Sequence, residues 1–454
     1  MTTDMTRRCL EILKLALPVM VSQVGLIVVA FADNIMVGRY STQALASASF
    51  VINLFNLVVF CGLGFSYGLT PLVGALFARG EHRNIGRMMR AGLRANMLVG
   101  LLLSLVMLVL YFFIDRMGQP AELLPLIRPY FIIFLVSVLP MMVFNAFAQW
   151  SYAVKNTSMP MWILLACNGL NIVGNYMLIY GNWGAPELGL TGAGLSTLAA
   201  RVLAAATITL IFFFRKKNRA YRDGFAAARR DGAGLMRKVV ATSWPVSLQM
   251  TFETGSFSFC AVFAGWLGTA SLAAFQVVTV VSTLGFCIYY SVGTAIAVLV
   301  ANSMGAAARS ARRVAWDGYV VMLMFAMMSS GVFAVFAGDL MSLFTDDGGV
   351  LALATSVIVP LVLYQLGDAT QITFANALRG TANVMPMLWI AFVSYLCVGL
   401  PSTYLLAFVC GLGVYGIILS FSVSLFLAAG LFMWSFMRTT RRTPAPAGSV
   451  MKES

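Results

Sequence analysis

Long apolar runs alternate with short polar breaks along the whole chain, and the runs are too long for the elements of a soluble core. A helix needs roughly 20 apolar residues to cross hydrocarbon. Cutting at charge clusters and Gly/Pro turns leaves about twelve such stretches, near 13–37, 46–76, 92–114, 127–153, 161–182, 189–214, 241–266, 272–303, 315–337, 351–378, 386–409 and 412–436. The weakest boundaries fall around 40–46 and 76–92. The pattern predicts an all-α integral membrane protein of twelve transmembrane helices. Composition agrees: 60% of the 454 residues are hydrophobic and 10% are charged, far outside the range of soluble domains. No removable leader is expected, because the first apolar stretch is too long for one and carries Asp33.

The formal net charge of +14 invites a nucleic-acid reading, but the basic residues collect in alternate loops. Arg79, Arg83, Arg87, Arg90 and Arg94 lie between the second and third spans, Lys155 and Arg379 in short turns, and Arg309, Arg312 and Arg313 between the eighth and ninth spans. The longest basic segment runs from Arg215 to Lys238. The intervening loops are nearly free of Lys and Arg, with Arg39, Arg116 and Arg128 as exceptions. This is a topology signal: both termini and the basic loops are expected in the cytoplasm, against anionic lipid, with no nucleic-acid partner.

The chain also repeats. Offset by 227 residues, Pro18-Val19 falls on Pro245-Val246, Gly38 on Gly265, Leu45-Ala46 on Leu272-Ala273 and Val73 on Val300; Met159-Pro160-Met161 falls on Met385-Pro386-Met387 at 226. Two six-span bundles entering the membrane in one orientation imply a pseudo-two-fold axis along the membrane normal, as in transporters that rock two bundles about a cavity. The expected organisation is an N-terminal bundle over 1–214, a basic cytoplasmic linker over 215–240, a C-terminal bundle over 241–437 and a disordered tail over 438–454.

Against this apolar background, three carboxylates stand inside spans: Asp33, Glu253 and Asp368. An ionisable group in hydrocarbon costs several kcal/mol and rarely persists unless it faces a cavity, a partner or a moving ion. The repeat puts Cys260 opposite Asp33, Leu26 opposite Glu253 and the neighbourhood of Met142 opposite Asp368, so each acid belongs to one half only. Asp33 needs a partner from another helix, and Asn168, Asn171 and Asn175 of the fifth span share one face at spacings of three and four. Gln249 precedes Glu253 by one turn, and Tyr364 and Gln365 precede Asp368, so each of those helices presents an acid beside a second oxygen. Such oxygens can exchange a proton or hold a hard cation such as Na+. Static interhelical hydrogen bonding is the competing role for all of them.

Other features carry less. Arg201, inside the sixth span, is expected to pair with an acid or with backbone carbonyls as a structural element. The 27 Met and many Phe suit a wall that accepts varied apolar cations, and equally suit lipid contact. Pro18, Pro71, Pro140, Pro245, Pro360 and Pro401 are candidate bending points, with the repeat-related Pro18 and Pro245 the more credible pair. Seven unpaired-looking Cys and a lone His82 offer neither a disulfide framework nor a metal cluster. No Ser stands with a plausible His base, so an enzyme is not expected and no cofactor is implied.

Three stretches, LALPVMVSQVGLIVVAFADNIMVG, APELGLTGAGLST and QLGDATQITFANALRG, resemble the multidrug and toxic compound extrusion (MATE) family, and the resemblance covers nearly the whole chain. It is similar to the NorM-like branch in having acids at Asp33, Glu253 and Asp368, a tyrosine at Tyr364 and the pair Asn171 and Asn175. The DinF-like branch typically adds an aspartate between such asparagines, where this chain has Ile172, Val173 and Gly174. The resemblance implies a monomeric antiporter of the bacterial inner membrane that exports organic cations against Na+ or H+, with coupling at Glu253, Asp368 and Tyr364 or at Asp33, Asn171 and Asn175. Relatives often carry histidine where this chain has Phe275, which removes a proton relay through that position. A major-facilitator transporter and a flippase of lipid-linked precursors are the alternatives; the first lacks its usual loop motif in FARGEHRNIGRMMR, and the second should favour cationic cavity residues.

Overall fold

The computed structural model describes residues 2–227, 232–304, 308–342 and 347–442. Among these the regular structure is entirely helical. The first half contains α1 (Thr2–Tyr40), α2 (Thr42–Tyr67), α3 (Leu69–Ala78), α4 (His82–Phe112), α5 (Leu124–Ala153), α6 (Ser158–Tyr180) and α7 (Gly189–Phe214), followed by the short α8 (Arg219–Ala227). The second contains α9 (Gly232–Trp266), α10 (Thr269–Met304), α11 (Ala308–Ser342), α12 (Gly348–Ser356), α13 (Ile358–Gly380), α14 (Met385–Ala391), α15 (Leu400–Tyr404) and α16 (Gly413–Arg442). Ten helical stretches are long and apolar enough to span a membrane, and the bent pair α12–α13 makes another. With α9, whose apolar character is diluted by Gln249, Glu253 and several Ser and Thr, the predicted twelve are present.

The repeat extends to helix boundaries. The same offset of 227 separates the starts at Thr42 and Thr269, the ends at Ala153 and Gly380, and the starts at Ser158 and Met385. The two boundaries that were weakest in the sequence are sharp. Ser41 caps α2, its Oγ accepting from the Ala44 backbone N–H at 3.4 Å. Arg83 to Arg94 are not loop: they occupy the first turns of α4.

Of the candidate bending points, the repeat-related pair favoured in the sequence is not where the helices break. α1 and α9 continue unbroken through Pro18 and Pro245. The breaks fall instead at Gly68, three residues before Pro71, and at Val357, three before Pro360, where the bend is 51°. A proline leaves a carbonyl in the preceding turn without its donor, so the turn ahead of it is where a helix opens. Near Pro401 the ladder widens into π-helical turns over Phe392–Gly399 and Leu405–Val409.

The chain forms two compact units. One comprises Val21–Ser247; the other comprises Leu248–Ser454 together with Met1–Met20. Each unit boundary lies two residues beyond a repeat-related proline, Pro18 or Pro245, inside a continuous helix. In the first unit, α5 packs on α2, α4 and α7, and α6 packs on α7. Phe55 of α2 meets Phe131 and Phe134 of α5 edge-on at 4.9 and 5.7 Å. α4 shows the inversion expected in lipid: Leu98, Leu101, Leu102 and Leu105 are exposed, while Gly92, Ala95, Asn96 and Gly100 are buried. In the second unit α13 is central, flanked by α10, α11 and α16. There Arg8 of α1 donates to Asp317 of α11.

The region 215–240, expected as a linker, carries α8, which lies against α4. A Cβ on Gly86 would stand 1.9 Å from the Tyr221 carbonyl oxygen, and one on Gly224 1.8 Å from that of Arg83. Only glycine permits two backbones so close. Arg90 Nη1 then donates to the carbonyls of Phe225 and Ala226 at 3.1 and 3.3 Å, at the end of α8. At the opposite end of the bundle, Arg128 is a basic exception matched by Asp115, at 2.6 and 2.8 Å from its two oxygens. Of the tail expected over 438–454, residues to Arg442 continue α16, and 443–454 lie outside the described residues.

Candidate functional site

The acids fall into two clusters, one in each unit. In Val21–Ser247, Asp33 is half-buried near the end of α1, and Asn175 of α6, fully buried, donates its amide Nδ2–H to Asp33 Oδ1. Asn171, one turn earlier on α6, belongs to the same group. With its amide oxygen turned toward Ser196 Oγ at 3.3 Å and Thr197 N at 3.2 Å, its Nδ2 donates to Asp33 Oδ1 at 3.1 Å. Two amides four residues apart therefore serve one carboxylate, as i,i+4 spacing allows. Asn175 Oδ1 is buried with no hydrogen-bond partner among the described residues, so an acceptor oxygen stands beside the acid.

Asn168 is not brought into this cluster. It faces α1 at Gly25, a Cβ on which would lie 3.7 Å from Asn168 Nδ2, and that nitrogen has no partner among the described residues. Arg201 also differs from expectation. Among the described residues it pairs with neither an acid nor a carbonyl: Nη1 donates to Ser137 Oγ at 2.6 Å, and the guanidinium lies 5.2 Å from the Phe134 ring centre. It remains within electrostatic reach of Asp33.

In the second unit, Gln249 Nε2 donates to Glu253 Oε2 at 2.7 Å along α9. Asp368 of α13 is 3% exposed, and its Oδ2 has no partner among the described residues. The two helices meet one turn away, where Phe257 (four residues after Glu253) and Tyr364 (four before Asp368) are in edge contact at 6.4 Å. That contact places the acids on neighbouring helices, and each lies within electrostatic reach of the other. Phe275 is buried and packs at 6.3 Å on Phe421, which also contacts Tyr364. An apolar ring covers one side of the cluster.

The second cluster has more unmatched polarity than the first. Both amide atoms of Gln365, Oε1 of Gln249, Oε1 of Gln371 and the hydroxyl of Tyr395 are buried without partners among the described residues. A buried polar group left unpaired costs about 1–3 kcal/mol, so these groups stand out among the described residues of the second unit. Tyr395 is the member that sequence reasoning missed. It lies on the π-helical turns before Pro401, 2% exposed and within electrostatic reach of Glu253, Asp368 and Tyr364. Its only sequence signal was a phenol in an apolar span, which usually means an interface residue. Among the described residues, no three His, Cys, Asp or Glu side chains converge as metal ligands.

A doubled six-span helical chain with ionisable clusters inside its spans is a multi-pass membrane transporter, not an enzyme. Comparison with known proteins gives the family: the MatE model matches twice, over residues 18–177 and 245–405, the two copies starting at Pro18 and Pro245. The chain belongs to the MatE family. It is 32% identical to a probable multidrug resistance protein NorM of Bradyrhizobium diazoefficiens over 442 residues, 95% of this chain and 94% of that protein. It is 27% identical to the multidrug resistance protein NorM of Aliivibrio fischeri over 90% of each chain. In fold it is similar to a mutant of the Vibrio cholerae MATE transporter VcmN (TM-score 0.87, 16% identity, 97% of this chain and 99% of that one). It is also similar to a MOP superfamily transporter from Pyrococcus furiosus (TM-score 0.83, 18% identity, 96% and 97%), whose description reports a binding pocket of reverse polarity. The family resemblance in the motifs is thus borne out.

Proposed function

We propose that the protein is a secondary antiporter of the bacterial inner membrane that exports organic cations in exchange for Na+ or H+ by alternating access. Both termini face the cytoplasm, and the protein works as a monomer among membrane lipids. The observation that carries this reading is the pair of acid clusters inside the spans, each with buried acceptor oxygens that lack partners among the described residues. The names of the NorM relatives supply multidrug compounds as the substrate class.

In this reading Glu253, Asp368 and Tyr364, with Gln249 and Tyr395 beside them, bind the coupling ion, and Asp33 with Asn171 and Asn175 forms a second site. Ion binding favours one arrangement of the bundles and substrate favours the other. Transport then follows from differential affinity for the two states. The Pyrococcus furiosus neighbour, described with a binding pocket of reverse polarity and a different suggested function, shares this fold, so the reading rests on the polarity of this chain's own side chains. Buried carboxylates favour cations, and a flippase of anionic lipid-linked precursors would need the opposite polarity.

The test is transport in proteoliposomes under separately imposed Na+ and pH gradients across a panel of organic cations. Glu253→Gln and Asp368→Asn should each abolish gradient-driven efflux while expression and folding are kept. Wild-type efflux from both variants would overturn the assignment.

A further inference from the structure

A separate cavity of about 720 Å³ opens in the Val21–Ser247 unit, at the end of the bundle that carries the basic loops. Its cations are Lys155, Arg215 and Lys217, set with the imidazole of His82 around the aromatic pair Trp150 and Tyr221. Trp150 lies 5.6 Å from Tyr221, and Tyr221 lies 5.6 Å from His82, so α8 closes one wall. Among the described residues no Asp or Glu lines it. The acids nearest in sequence are engaged elsewhere: Glu81 accepts from Asn84 at 2.7 Å, and Asp223 stands 3.9 Å from both Arg219 and Arg222.

Four further observations point to an anion. The indole Nε1–H of Trp150, which is 2% exposed, has no acceptor among the described residues. α6 begins in the cavity wall with no side-chain cap, so its first backbone N–H groups and the positive end of its dipole are turned to this region. Lys155 sits at φ 63°, a left-handed conformation that costs a non-glycine residue of order 1 kcal/mol or more. It is held there by a turn in which the Asn156 N–H donates to the Ser151 carbonyl at 2.9 Å. Burial pushes the Tyr221 phenol up from its usual range, keeping it a neutral donor.

We propose that this cavity binds a phosphate-bearing anion, either the head group of an anionic phospholipid or a soluble organic phosphate. The site is larger than one phosphate, and Trp162, 66% exposed at the start of the spanning α6, lines it. A tryptophan at that level marks the membrane–water boundary, where a head group enters from the side.

The experiment measures binding to the full-length protein in neutral detergent, by native mass spectrometry and thermal shift. The probes are phosphatidylglycerol, zwitterionic phosphatidylethanolamine and glycerol 3-phosphate. Phosphatidylglycerol should be retained in preference to phosphatidylethanolamine. K155N/R215Q, in which asparagine tolerates the left-handed turn, should weaken it about tenfold or more. The pair R94Q/R237Q removes the same charge without touching the cavity and should leave binding within about twofold. Competition by glycerol 3-phosphate would assign the site to a soluble phosphate, and its failure to compete would assign it to the lipid. Equal losses in the two double variants, or no preference for either phosphate probe, would overturn the proposal.

Discussion

At the scale of single residues, the two clusters differ in how fully their acids are matched, and this sets different expectations for their variants. Asp33 accepts from Asn175 and Asn171. Asn175→Ala removes a hydrogen bond to a charged group, a class worth about 1.5–3 kcal/mol. The half-saturating ion concentration for transport should therefore shift by about tenfold to a hundredfold, measured in proteoliposomes. Tyr395 is the opposite case. Its hydroxyl has no protein partner among the described residues, so Tyr395→Phe should leave the melting temperature unchanged or slightly raised while altering ion dependence. A fall of several degrees with unaltered ion dependence would make the phenol a packing group only. The acids themselves were legible in the sequence because a charge in hydrocarbon is conspicuous. Asn171 and Asn175 were legible through i,i+4 spacing, which also gathered in Asn168. Periodicity assigns a face and not a depth, so it could not say that Asn168 sits by Gly25 instead. Nor could it find the Arg201 partner, because a hydroxyl such as Ser137 is present in almost every span.

At the scale of elements, α8 is the clearest addition to what the sequence allowed. Composition marked 215–240 as a basic cytoplasmic linker; the glycine pair that seats α8 on α4 is separated by 138 positions and leaves no local pattern. Gly86→Ala would place a methyl group 1.9 Å from a backbone oxygen, which no rotamer can relieve. Overpacking of this kind costs about 1–3 kcal/mol. The variant should release α8, lower the melting temperature and open Arg219–Ala227 to protease, with cleavage followed by mass spectrometry. Unchanged protection would mean that α8 holds by its aromatic contacts, such as Phe213 with Phe225 at 5.2 Å. Helix breaks teach a related lesson. Pro71 and Pro360 were visible, yet whether a proline bends its helix depends on what meets the freed carbonyl, and that is a property of neighbours rather than of the residue.

At the scale of the molecule, α1 and α9 each start in one unit and finish in the other. The head of α1 is anchored in its unit by Arg8 on Asp317, whose side chains are 27% and 12% exposed, and by Ile12 against Gly318. The head of α9 is anchored by Ser247, whose Oγ donates to the Cys61 carbonyl at 2.7 Å. Arg8→Glu should lower stability by about 1–2 kcal/mol, discounted for partial solvent screening, and adding Asp317→Arg should recover most of it in thermal melts. No recovery would mean that the head is held by packing alone.

These boundaries recast what the two halves are to one another. Each half of the duplicated chain gives away the first turns of its opening helix and receives those of its counterpart, the arrangement by which identical subunits become domain-swapped dimers. A six-span polypeptide of this design should be incomplete alone and satisfied as a pair. Fragments divided within residues 228–231 should therefore reassemble when expressed together, and neither should accumulate by itself.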